Sequence, residues 1–162
     1  MSVICAENVT KAFSPSVRAL QNVSTRIDRG EFVAIIGLSG AGKSTFLRTI
    51  NGTLLPTEGK MTVLDRDLST LKSKQRTELR RKIGFIFQQF NLVKQLSALD
   101  NVLHGRIGYS PHWRTLTGLY SQSDINLATN YLREVGLKDK LEQRVDQLSG
   151  GQQQRVAIAR AV

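Results

Sequence analysis

Apolar positions along this chain follow two rhythms, short strand-like runs alternating with stretches of helical spacing, and together they predict an α/β fold. Residues 3–9 read as an edge strand, and residues 23–27 alternate apolar with polar. A turn at Asp28, Arg29 and Gly30 leads into residues 31–36, which are apolar on both faces and so are expected as a strand covered on both sides. A glycine-rich loop fills residues 37–42, and residues 43–51 read as a helix stopped by Gly52. After a turn at 56–59 come a short strand at 60–64, a turn at Asp65 and Arg66, a polar segment able to form a helix, and a second buried strand at 83–87. Beyond Gln88 the spacing turns helical. Residues 96–103 and 124–135 read as helices, the second capped by Ser123 and stopped by Gly136, and a last helix follows Gly151. The stretch between the first two, 105–122, is less regular and holds Pro111 and the only tryptophan, Trp113, an anchor of core or interface. No internal repeat, low-complexity tract or linker interrupts the pattern.

Composition narrows the function classes. The 162 residues suffice for one domain with a core, and no apolar run approaches the ~20 residues that a membrane helix needs. Residues 1–8 lack the basic start and apolar block of a secretory signal. Cys5 is the only cysteine, so no internal disulfide forms; it reads as a small apolar residue on the first strand. The net charge of +10 concentrates at Lys72, Lys74, Arg76, Arg80, Arg81 and Lys82. That cluster fits a nucleic-acid footprint, or a solvated helical face or one near anionic headgroups. No aromatic side chains interleave with it as a single-strand stacking platform requires, so nucleic acid is the poorer fit. His104 and His112 have no partners at metal-ligand spacing.

The chemistry sits in residues 37–44, GLSGAGKS, which fit the phosphate-loop pattern G-x-x-x-x-G-K-[ST]. Glycines let successive backbone N–H groups turn toward phosphate oxygens, and the helix that follows aims its N-terminal dipole at the same anion. Four fixed positions would match by chance about once in 200 chains of this length, and the strand-like run before and helix after make chance rarer still. Gly37, Ser39, Gly40, Ala41 and Gly42 therefore form the expected cradle. Lys43 reaches the terminal phosphates, Ser44 is a Mg²⁺ ligand, and Thr45 assists a phosphate oxygen. A second glycine turn, LSGGQ at residues 148–152, opens the last helix. Alone it reads as a helix cap; beside a phosphate loop it reads as a second phosphate-binding terminus formed by Ser149, Gly150, Gly151 and Gln152.

With both motifs in hand, the whole chain resembles the ATP-binding-cassette (ABC) family, whose signature and following helix look like LSGGQQQRVAIARA, residues 148–161. The resemblance implies a P-loop NTPase with an N-terminal antiparallel β subdomain and a helical subdomain: core and β subdomain over 1–88, helical subdomain over 89–147, signature motif and helix over 148–162. It implies ATP and Mg²⁺ as ligands, and a homodimer in which the signature of one subunit closes on the γ-phosphate held by the other. Phe13 falls where the family stacks an aromatic on adenine, with a core phenylalanine as the alternative. Gln88 falls where the family has a glutamine that ligates Mg²⁺ and couples to the membrane subunit, although Gln89 follows it directly. Arg155 and Arg160 read as structural or surface residues of the signature helix.

Residues 87–93, 101–104 and 110–115 look like ATPase subunits of phosphonate importers. That resemblance implies membrane permease partners, an indirect periplasmic or lipoprotein substrate-binding partner, and a peripheral place on the cytoplasmic face of the inner membrane. ATPases of phosphate, phosphite, amino-acid or efflux transporters, a soluble DNA- or ribosome-acting ATPase, and an inactive fragment stand as alternatives. Family members continue beyond the signature helix with an aspartate, a glutamate and later a histidine that serve hydrolysis. None of the three is assigned here, so no catalytic residue is named, and the chain by itself is expected to be inactive and prone to aggregate, with the C-terminal part of the core missing.

Overall fold

The computed structural model describes residues 1–109 and 120–162. The stretch 110–115, with His112 and Trp113, therefore lies outside the described residues. The chain divides into two units, Met1–Ile83 and Gly84–Val162.

The first unit is built on a four-stranded antiparallel sheet of order β2-β1-β3-β4, with β1 at Ser2–Ser14, β2 at Val17–Asp28, β3 at Glu58–Val63 and β4 at Arg66–Asp67. β1 pairs with β2 from Ser2 opposite Asp28 to Ser14 opposite Val17, and on its other side with β3 from Ile4 opposite Val63 to Thr10 opposite Glu58. The expected edge strand is thus an interior one, and β2 takes the edge. Residue pattern alone misses this because the second-side partner, β3, lies about fifty residues on; within β1 the register also shifts between Ala6 and Val9, where Asn8 turns left-handed at φ 49°. The β3–β4 turn uses Leu64 and Asp65, both left-handed at φ 49° and 60°, as a two-residue hairpin requires.

Helix α1, Lys43–Ile50, packs on this sheet through Phe46, Thr49 and Ile50, spaced at i, i+3 and i+4. These side chains join Ala6, Val9, Leu20, Met61, Val63, Leu68 and Leu79 in the core. Asn51 closes the helix and Gly52, at φ 68°, leaves it left-handed, as the sequence predicts. The polar basic segment does form a helix, α2 at Ser73–Arg80, anchored by the buried Leu79.

The second unit is helical. Its described residues contain α3 at Ala98–Gly105, α4 at Gln122–Glu134 and α5 at Gly150–Ala161, with single turns of 3₁₀ helix at Ile107–Tyr109, Lys138–Lys140 and Val145–Gln147. Val102, Leu103, Leu132, Leu137, Val145, Leu148 and Val156 form its core. The cap of α4 is Ser121 rather than Ser123: Ser121 Oγ accepts the Asp124 N–H at 3.1 Å. Asp124, three residues after Ser121, completes the local pattern that selects a cap. Gly136 ends α4 at φ 75°, with Leu137 N donating to Leu132 O at 2.8 Å and Gly136 N to Arg133 O at 2.9 Å, the paired bonds of a Schellman turn.

Two expected strands are not formed. Residues 31–36 and 83–87 carry no ladder hydrogen bonds, and Phe32 is 97% and Ile36 92% exposed. An apolar run becomes a strand only where neighbours supply N–H and C=O partners on its edges and cover on its faces. No described strand does so for either segment.

Candidate functional site

The phosphate loop leads into α1 through two left-handed glycines, Gly40 at φ 84° and Gly42 at φ 85°. Gly42 is the N-cap of α1, which has no side-chain cap and no acidic residue in its first turn. Its leading N–H groups are therefore left for an external acceptor, and nothing anionic competes at the positive end of the dipole. The helices of the other unit are built differently, since Ser97, Ser121 and Ser149 cap their own. Gly42 also has a packing reason to lack a side chain: a Cβ there would stand 2.2 Å from Ala19 O of β2. Gly37, Ser39, Gly40, Ala41 and Ser44 are solvent-exposed, and Gly42, Lys43 and Thr45 are half-buried. Lys43 bends over the loop, its ammonium donating to Gly37 O at 2.7 Å and Leu38 O at 2.6 Å. The expected cradle residues thus share one exposed turn whose donors are backbone N–H groups and one ammonium, the chemistry a polyphosphate site needs.

Phe13, near the end of β1, is 57% exposed, so the core alternative does not hold. Lys11 Nζ stands 5.6 Å from its ring centroid, a cation–π contact the sequence did not signal.

Gln88 and Gln89 lie in the second unit, both exposed, in the turn after Phe87. The LSGGQ turn is in the same unit. Leu148 is buried, and Ser149 caps α5 reciprocally: Ser149 Oγ accepts Gln152 N–H at 3.3 Å, and Gln152 Oε1 accepts Ser149 N–H at 2.9 Å. Gln153, which sequence reasoning passed over, steadies the turn by donating to Val145 O and Leu148 O at 3.1 and 3.0 Å. Gly150 and Gly151 are exposed, and a Cβ at either would meet nothing within 4 Å.

Arg160 is half-buried and takes the structural of its two expected roles. Its guanidinium donates to the carbonyls of Phe90 and Asn91, the latter at 2.7 Å, and burial pulls its pKa below the ordinary arginine value. Asn101, 1% exposed within α3, holds the same segment farther along. It accepts Val93 N–H at 2.8 Å and donates to Val93 O at 3.0 Å and Ser97 O at 2.9 Å. A lone amide on the apolar face of ALDNVLHG was the only sequence signal for that role.

The ABC transporter family model matches residues 20–162. A phosphonates import ATP-binding protein of Lactobacillus johnsonii is 48% identical over 160 residues, covering 99% of this chain. One from Staphylococcus aureus is 46% identical over 162 residues, covering 100%. The chain spans 63% of the length of each of these curated relatives. Among solved structures, a dimeric ATP-binding cassette in a post-hydrolysis state with ADP and Pi matches with TM-score 0.84 and 39% identity, covering 98% of this chain and 68% of that one. The structure of cbiO1 from Clostridium perfringens, part of the ABC transporter complex cbiONQ, matches with TM-score 0.81 at 28% identity, covering 99% of this chain and 61% of that one. On the family match and on this level of identity, the chain belongs to the ABC transporter family.

Proposed function

We propose that this chain is the nucleotide-binding portion of an ABC importer ATPase whose cargo is a phosphonate or a related phosphorus oxyanion. The carrying observation is the cradle ahead of α1: two left-handed glycines and an uncapped helix N-terminus without acidic residues. The cargo class rests on identity of 46–48% to phosphonate-import subunits.

ATP is held by its phosphates on the N–H groups of residues 39–45, with the Lys43 ammonium leaving its carbonyl partners for the terminal phosphates. The exposed Phe13 ring offers a stacking face to adenine. Ser44, in the first turn of α1, would hold Mg²⁺ through a neutral hydroxyl oxygen, and Gln88 carries a neutral amide oxygen of the kind Mg²⁺ also takes; when bound, the ion neutralises phosphate charge. Gly150 and Gly151 are under no packing constraint within the unit, which fits a face kept clear for a nucleotide held by a second copy of the subunit. On this reading the whole protein is a homodimer seated peripherally on permease subunits at the cytoplasmic face of the inner membrane. A separate binding protein delivers the cargo to the permease. No helix among the described residues is long and apolar enough to cross a membrane.

Hydrolysis further requires a group that orients the attacking water. Beside the loop, Glu31 is engaged with the Asp28 N–H at 2.9 Å, and the first turn of α1 has no carboxylate. We therefore assign nucleotide binding, and not turnover, to these residues.

Titration of the chain with a fluorescent ATP analogue, with and without Mg²⁺, tests the reading. Binding that Lys43→Ala weakens at least about tenfold is expected, the loss of one charge-assisted contact to phosphate. Equal affinity of the two proteins would sink it. The cargo is tested by growth on a phosphonate as sole phosphorus source, which should fail in cells lacking the gene.

A further inference from the structure

The residues after Gln88 adopt a conformation that side chains disfavour. Phe90 at φ 58° and Asn91 at φ 47° are consecutive left-handed residues, and neither is glycine. Asparagine tolerates this region, but phenylalanine does so poorly, and such a pair persists only where the surroundings fix it. Local turn bonds, Phe90 N to Phe87 O at 2.9 Å and Asn91 N to Gln89 O at 2.6 Å, hold it from one side.

The other constraint comes from 69 and 70 residues away. The two terminal nitrogens of Arg160 fork onto the adjacent carbonyls of Asn91 and Phe90. Arg160 has no carboxylate partner among the described residues, so its charge serves these two backbone oxygens. A lysine has no planar fork with which to match the pair. Beyond them, Asn101 grips both backbone groups of Val93. The C-terminal end of α5 is closely wrapped as well. A Cβ at Gly105 would stand 2.5 Å from Arg160 O, and one at Gly84 would stand 2.7 Å from Ala161 O. Residues 84–93 thus meet the middle of α3 at Asn101 and the C-terminal end of α5 at Arg160 and Ala161.

We propose that Arg160 is a positioning residue which fixes the Gln88 segment to the far end of the signature helix, so that the LSGGQ turn and Gln88 move as one body. This rests on the nucleotide reading above: at one end of α5 stands the turn offered to the partner subunit's nucleotide, and at the other hangs the segment offering Gln88 to Mg²⁺. Arg160 transmits displacement of either to the other. It touches no nucleotide.

Amide exchange of the intact 162-residue chain, read by mass spectrometry over residues 86–95, tests the clamp. Arg160→Lys keeps the charge and removes the fork. Exchange at residues 88–93 should accelerate about tenfold, the factor carried by one lost charge-assisted hydrogen bond. Exchange near Val102 and Val156 and the thermal midpoint should stay at wild-type values. Unchanged exchange at 88–93, or acceleration shared equally by both helix cores, overturns the proposal. Should the variant not fold, the wild-type chain decides by ¹⁵N spectroscopy. Separate Arg160 Nη signals from slowed rotation support the clamp, and one averaged signal overturns it. The positioning role has its own readout: Arg160→Lys should diminish the gain in ATP affinity given by Mg²⁺ while leaving Mg²⁺-free affinity unchanged, and an intact Mg²⁺ effect overturns that role. A wild-type chain that binds ATP no better than Lys43→Ala refutes the nucleotide reading instead, and exchange still decides the clamp.

Discussion

Gly40 and Gly42 form a matched pair that separates backbone strain from steric exclusion. Both are left-handed, at φ 84° and 85°. A Cβ at Gly40 meets nothing within 4 Å, whereas one at Gly42 stands 2.2 Å from Ala19 O and 3.1 Å from a methyl carbon of Leu20. Alanine in the left-handed region costs about 1–2 kcal/mol. Restricting the unfolded chain offsets about 0.4–1 kcal/mol of this, so Gly40→Ala should lose about 0.5–1 kcal/mol net. Gly42→Ala carries the same strain plus an approach about 1 Å short of ordinary C···O contact, and the obstacle is strand backbone that cannot rotate away. Overpacking of this kind costs about 1–3 kcal/mol, for a total of about 2–4 kcal/mol. Urea unfolding followed by circular dichroism should place the Gly42→Ala midpoint about 1 M below that of Gly40→Ala, given slopes of about 1–3 kcal/mol per molar. Equal midpoints would refute the claim that contact with β2 makes Gly42 obligatory.

Further tests address other parts of the chain. Asn101→Ala removes three hydrogen bonds, one of them fully buried at Ser97 O, so stability should fall by about 2–4 kcal/mol in chemical denaturation, with no smaller loss for the isosteric Asn101→Leu. The Ser121 hydroxyl, then Arg106, holds the Asp124 carboxyl below its ordinary 3.8. Because the folded value is the lower one, this stabilisation is complete above about pH 4 and disappears as pH falls through the folded value. Asp124→Asn should therefore flatten the acid limb of a thermal-melt profile without altering its slope above pH 6, about two units clear of the carboxylate range. Phe32 and Ile36 expose apolar side chains, so the chain should bind an apolar dye and self-associate in light scattering, and Phe32→Ser/Ile36→Ser should reduce both signals. Scattering unaffected by the double variant would place the sticky surface elsewhere.

Local chemistry was legible in the sequence wherever a rule needs only near neighbours. The phosphate loop declares itself by four fixed positions, LSGGQ by its glycines before a helix, and Gly52 and Gly136 by the left-handed step after a last turn. Even there the sequence reading put the cap of α4 at Ser123, and the structure gives that place to Ser121, whose Oγ meets the Asp124 N–H. Tertiary structure decided what depends on distant partners. Arg160 read only as a structural or surface residue of its helix because its two carbonyls lie 69 and 70 residues away. β1 looked like an edge because pairing on its second side comes from β3. Residues 31–36 and 83–87 show the limit most plainly. Apolar periodicity reports that a segment is able to be covered, but a strand exists only when other backbone meets its N–H and C=O groups, and no local pattern encodes whether that backbone is at hand.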